Sequence, residues 1–80
     1  MTRYTKQNKI EVGDYVVVKK NIKTFAYGES PEMKEARKNQ IQGKVTCIMP
    51  NVIVVSFNLY EDWNYTPEEL TIVRKGVKNG

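Results

Sequence analysis

The 80-residue chain contains no histidine and a single cysteine, Cys47. One cysteine cannot form an internal disulfide, and without histidine there is no Cys/His set to hold zinc. The longest aliphatic run, Val52 to Val55, is far too short to span a bilayer, and the first ten residues lack the apolar segment of a signal peptide. We therefore expect a cytoplasmic protein that has no metal, cofactor or membrane partner.

Residues that could carry catalysis are also scarce. The sequence has no glycine-rich phosphate loop, and Cys47 is expected to alternate onto the inward face of a strand, where it acts as a small hydrophobic residue. Neighbouring carboxylates, as in Glu61-Asp62 and Glu68-Glu69, point apart on an extended chain and do not form an acid/base pair. The sequence thus predicts a protein that is not an enzyme.

What the chain does contain is a series of short β-branched runs. Eighty residues allow one domain, 1–80, with a compact core. Alternating apolar residues predict four strands: Tyr15 to Lys20, Gly43 to Met49, Val52 to Asn58 and Leu70 to Arg74. Pro50-Asn51 predicts the turn of a hairpin. The inward phase of these runs predicts the core, which comprises Val12, Val16, Val18, Val45, Ile53, Val55, Phe57 and Leu70.

A long interval, 21–42, separates the first strand from the hairpin. Ser30 and Pro31 supply an N-cap and a first helical residue, and the following residues favour helix, which predicts a short helix over 29–38. Either Met33 and Phe25 fix this insertion against the sheet, or it stays mobile until a partner binds. A further helical or 3₁₀ turn is expected at Thr66 to Leu70, and residues 1–8 and 76–80 are expected to be frayed ends.

The ordered motifs resemble those of the SH3-like small barrels. They read I-x-V-G-D-x-V-x-V-K (10–19), G-K-V-x-x-I (43–48), V-I-V-V-S-F (52–57) and P-E-E-L-x-I-V (67–73), and together they cover residues 10–74. This group includes KOW, Tudor and mind-bomb-repeat domains and the small peripheral subunit of photosystem I. The resemblance implies an all-β, five-strand antiparallel barrel with a helix-containing insertion between strands 1 and 2, in which the first and last strands pair. It leaves the function open.

Charge is distributed unevenly along the chain, whose net charge is +4. Pairing of the first and last strands would bring two basic segments together, which predicts a positive face that neutralises phosphates of a nucleic acid. Tyr4, Tyr15, Phe25 and Tyr27 lie among these cations and could stack on bases. The predicted nucleic-acid-binding residues are Arg3, Lys6, Lys9, Lys19, Lys20, Lys23, Arg74 and Lys75.

A second hypothesis is a protein-interaction adaptor or inhibitor that docks on a larger protein machine, such as a compact viral effector. Its basis is the predicted loop from Asn58 to Tyr65, which combines aromatic and acidic residues of the kind found in protein hot spots. The predicted docking residues are Tyr60, Glu61, Asp62, Trp63 and Tyr65. The same aromatics could instead form a cage for a methylated cation, or pack as a lid with Trp63 over Leu59 and Leu70. The oligomeric state cannot be read from these residues.

Overall fold

The computed structural model describes residues 9–58 and 61–76. The predicted frayed segments 1–8 and 76–80 lie outside the described residues except for Gly76, whose N–H donates a hydrogen bond to the Asp14 carboxylate at 2.8 Å. The elements in chain order are β1 Tyr15–Val18, α1 Pro31–Lys38, β2 Gly43–Met49, β3 Val52–Ser56, β4 Asp62–Tyr65, a 3₁₀ turn η1 Pro67–Glu69, and β5 Leu70–Arg74.

The five strands form one antiparallel sheet in the order β4-β3-β2-β1-β5. The predicted pairing of the first strand with the last is confirmed. The sheet is not closed into a barrel, because β4 and β5 are its two edges and do not pair with each other. The mainly β character of the prediction is therefore confirmed, whereas a closed barrel is not.

The sheet must nevertheless curve strongly. Only residues 66–69 connect β4 to β5, although three strands lie between them in the sheet. Five Cα steps from Tyr65 to Leu70 span at most about 18 Å when fully extended, and the helical turn shortens this connection. The edges of a flat five-strand sheet would be about 19 Å apart. Curvature brings the edges closer and gives the sheet a concave, apolar inner face.

The inner face holds the core. Every predicted core residue except Val12 is buried there, and Tyr65, Met33 and Ala36 join them. Val12 is 59% exposed, so this prediction was wrong. The reason is the turn at Gly13, whose φ of +99° interrupts the strand alternation before β1 begins. Asp14 continues the inward phase of Val16 instead and is buried.

Cys47 was also predicted to face inward and is exposed. A β-bulge lies between Val45 and Cys47: Val45 is opposite Val55, but Cys47 is opposite Val54. The extra residue, Thr46, shifts the alternation by one position and so moves Cys47 to the outer face.

The insertion is fixed against the sheet through its helix. Ser30 caps α1 by accepting a hydrogen bond from the Met33 N–H at 3.2 Å, as predicted. Met33 and Ala36 are buried, which settles the two alternatives in favour of packing. Arg37 forms two hydrogen bonds to the Glu29 carboxylate, at 2.7 and 3.0 Å, which join the last turn of the helix to the residue just before its N-cap.

The segment from Asn58 to Tyr65 was predicted as a loop, but its second half forms the edge strand β4. Tyr65 is fully buried and contacts Phe25 edge to face, with ring centroids 6.1 Å apart. A four-residue strand that alternates two polar residues with two aromatics carries too little β-branched signal to be recognised in the sequence.

Candidate nucleic-acid interface

One row of side chains crosses all five strands on the outer face of the sheet. Strand pairing places Tyr15 opposite both Arg74 and Lys44, Lys44 opposite Ser56, and Ser56 opposite Asp62. Directly opposed residues in antiparallel strands point to the same face. Because Val16 next to Tyr15 is buried on the inner face, this row lies on the outer one. We call these five residues the outer row.

The centre of the outer row is an aromatic ring between two cations. The Arg74 guanidinium carbon lies 4.3 Å from the centroid of the Tyr15 ring, and the Lys44 Nζ lies 6.0 Å from it. Both distances are within the range of cation–π attraction. Lys44 and Arg74 are exposed, while Tyr15 is half-buried. The ring on β1 therefore contacts two exposed positive charges, one on each of the flanking strands β2 and β5.

A bulge in β5 puts Arg74 in this position. Tyr15 is opposite Arg74, but the next residue, Val16, is opposite Ile72, so Val73 is an extra residue in β5. In a regular ladder Val73 would lie opposite Tyr15, and the guanidinium would be displaced from the ring. Bulges of this kind commonly redirect a side chain at a sheet edge.

Of the other predicted cations, Lys19 is the one that the strand directs to the same face. It is exposed, and it follows Tyr15 and Val17 in the outward phase. Its backbone N–H donates to the Glu69 carbonyl at 2.9 Å, which continues the β1–β5 pairing beyond Val18. Lys9, Lys20 and Lys23 are exposed in the segments that flank β1, and Arg3 and Lys6 lie outside the described residues.

Lys75 is held in a different environment. Its Nζ lies 2.7 Å from the buried Asp14 carboxylate and 3.6 Å from that of Glu11. Burial raises the pKa of Asp14, but hydrogen bonds from Lys75, the Gly76 N–H and the Glu11 N–H outweigh it, so this pKa is lowered. The hydrogen bond to Asp14 in turn raises the pKa of Lys75. The charge of Lys75 is therefore paired with two carboxylates, although its side chain is 51% exposed.

This ion pair also brings the two ends of the described chain together. Lys75 Nζ donates to the Lys9 carbonyl at 3.2 Å, and the Gly76 N–H donates to Asp14 at 2.8 Å. The described chain thus begins and ends at one corner of the fold. That corner adjoins Arg74 and the positive end of the outer row.

The predicted docking residues that the structure describes, Glu61, Asp62, Trp63 and Tyr65, differ in exposure. Tyr65 is buried, and Trp63 is half-buried and packs on Phe57 with ring centroids 5.0 Å apart. The alternative in which Trp63 packs over Leu59 and Leu70 involves Leu59, which, like Tyr60, lies outside the described residues. Glu61 and Asp62 are exposed.

Burial of Tyr65 also has an electrostatic consequence. Its pKa is raised first by burial and then by the negative charges of Glu29 and Glu69. Within the described residues its hydroxyl has no hydrogen-bond partner.

The sequence-based prediction missed Lys44. The signal for it was present, because Lys44 lies between Gly43 and Val45 in an alternating run whose apolar members face inward. Its register opposite Tyr15 could not be read from the run itself.

Residues 9–58 and 61–76 contain no helix long and apolar enough to cross a membrane, and no group of three or more acidic or cysteine side chains arranged to hold a metal ion. No protein-family model, curated protein or solved structure matches the chain.

Proposed function

We propose that this chain is a small, non-enzymatic module that binds single-stranded nucleic acid through the outer row. The observation that carries the proposal is the Tyr15 ring held between the exposed cations Lys44 and Arg74. Such cations neutralise phosphates, and an exposed base can stack on the guanidinium of Arg74, whose central carbon lies 4.3 Å from the centroid of the Tyr15 ring.

The arrangement of charge supports this more strongly than the total charge does. Three of the 13 cations, Arg3, Lys6 and Lys78, lie outside the described residues, whereas all nine acidic residues lie within them. The described part therefore carries ten cations against nine acids, a formal charge of +1. A nearly neutral body attracts a polyanion only where cations are gathered. The outer row gathers two of them, Lys44 and Arg74.

The fold is consistent with this function if it is an SH3-like small barrel, which we propose as its class. The pairing of β1 with β5, the short turn η1 between β4 and β5, and the strong curvature support that assignment. A curved sheet of this kind exposes the outer row on its convex side, where a single strand can cross several β-strands.

The proposal can be tested by fluorescence anisotropy with labelled dT12, rU12 and a DNA duplex. The test variant is Lys44→Glu with Arg74→Glu, and the matched control is Lys34→Glu with Lys38→Glu, which reverses two exposed charges on α1. Both variants change the net charge by the same amount. We expect the outer-row variant to lose single-strand binding and its salt dependence, and the helix variant to keep both. Equal losses in the two variants would contradict the proposal.

Protein docking through Glu61, Asp62 and Trp63 is the competing hypothesis. A pull-down from lysate with and without nuclease separates the two. Partners lost after nuclease, and lost also from Lys19→Glu with Lys20→Glu, support nucleic-acid binding. Nuclease-resistant protein bands would support docking instead, if Trp63→Ala weakens the binding free energy of that partner by roughly 2 kcal/mol or more and salt has little effect on it.

A further inference from the structure

The outer row changes sign from one edge of the sheet to the other. It begins with Arg74 on β5, continues through Tyr15 and Lys44, passes the neutral Ser56 on β3, and ends at the carboxylate of Asp62 on β4. Asp62 is exposed, and so is the preceding residue Glu61. Within the described residues, this continuous line of outward side chains is therefore cationic at β5 and β2, neutral at β1 and β3, and anionic at β4.

The distances limit how much of a ligand the cationic part can hold. Arg74 and Lys44 are separated by two strand spacings, about 10 Å. At about 3.4 Å per stacked nucleotide this length accommodates about three nucleotides. A strand that continued in the same direction would bring its next phosphates to Asp62, another two spacings away.

From this polarity we infer that Asp62 terminates the binding path. The strand crosses the sheet from the β5 edge and leaves the surface near β3. This inference rests on the proposed function and adds to it a direction, a short footprint on the sheet and a residue that sets the limit.

The test measures the affinity of the wild type and of Asp62→Lys for a series of oligonucleotides of increasing length, dT2 to dT10. A second series uses rU oligonucleotides of the same lengths. An exposed lysine is well tolerated on an edge strand. The matched control is Glu68→Lys, which makes the same charge change at another exposed acid outside the row. Circular dichroism spectra of both variants serve as the control for correct folding.

We expect Asp62→Lys to bind oligonucleotides longer than about three nucleotides more tightly than the wild type does, and to leave shorter ones unchanged. One added phosphate contact steepens the slope of log affinity against log salt by about 0.7, which is an extra loss of about 2.6-fold between 50 and 200 mM salt. Similar RNA and DNA results would identify the phosphate backbone as the feature recognised, and a gain confined to rU would assign the site to RNA.

Two outcomes would overturn the inference while the proposed function stands: Glu68→Lys gaining as much as Asp62→Lys, or Asp62→Lys gaining equally at every length. Failure of the wild type to bind any oligonucleotide, or full binding by Lys44→Glu with Arg74→Glu, would instead reject the proposed function, and the inference with it.

Discussion

Replacing Asp14 by asparagine removes one negative charge from the corner that joins the two ends of the chain. The Asp14 carboxylate is 1% exposed and accepts three hydrogen bonds. One oxygen accepts from the Gly76 N–H at 2.8 Å, and the other accepts from the Glu11 N–H at 2.8 Å and from Lys75 Nζ at 2.7 Å. An asparagine side chain has one oxygen, so in either orientation its NH₂ group faces at least one donor.

The expected cost follows from those contacts. A hydrogen bond to a charged group contributes about 1.5–3 kcal/mol, and a buried donor left without an acceptor costs about 1–3 kcal/mol. Because the two losses overlap, we expect Asp14→Asn to lower the free energy of unfolding by about 2–4 kcal/mol. A domain of this size has a total stability of about 4–12 kcal/mol, so the loss is a large fraction of it. At about 4–8 °C per kcal/mol the melting temperature falls by about 8–30 °C.

The pH dependence gives a second readout. The pKa of Asp14 is lower in the folded protein than its ordinary value of 3.8. The carboxylate therefore stabilises the fold at pH values above its unfolded pKa, and this contribution is lost as the pH falls through the folded-state pKa. The stability difference between wild type and variant should be constant from about pH 5 to 8 and should shrink below about pH 4.

Urea denaturation followed by circular dichroism at pH 7 and at pH 3 measures both effects. Asp62→Asn is the matched control, because it makes the same chemical change at an exposed residue and should cost less than about 0.5 kcal/mol. If Asp14→Asn is no more destabilising than Asp62→Asn at pH 7, or if its cost is unchanged at pH 3, then Asp14 does not act as described.

Three further variants or reactions test other parts of the fold. Val16→Asp should cost about 3–5 kcal/mol in urea denaturation, because it buries an unpaired charge, and a cost below about 1 kcal/mol would place Val16 outside the core. Ser30→Ala should cost about 1 kcal/mol through loss of the cap of α1, and no change would mean that the cap is not formed. Cys47 should react with a thiol reagent in the native protein as fast as in urea, whereas protection would show that it faces inward.

The inner face of the sheet was predictable because strand side chains alternate with a period of two. The residues in the inward phase are Val16 and Val18 on β1, Val45 on β2, and Ile53 and Val55 on β3. All five are buried. The alternation fails where the backbone inserts a residue or turns. Thr46 in its bulge moves Cys47 outward, and the turn at Gly13 leaves Val12 exposed.

The candidate site was less predictable for the same reason. The bulge at Val73 brings Arg74 opposite Tyr15, and a bulge leaves no clear mark in a sequence. Lys75 was grouped with the binding cations because its partner, Asp14, is 61 residues away in the chain. Long-range pairs of this kind depend on the strand register, which the pattern of a single strand does not specify.

The central claim is that the outer face of the sheet, and not the helix, is the binding surface. An NMR titration of ¹⁵N-labelled protein with dT6 tests it most directly. We predict the largest amide shifts at Tyr15, Lys44 and Arg74, smaller ones at Ser56, and none along α1 at Pro31–Lys38. Shifts concentrated on α1 or at the β2–β3 turn, or no shifts at saturating ligand, would contradict the account.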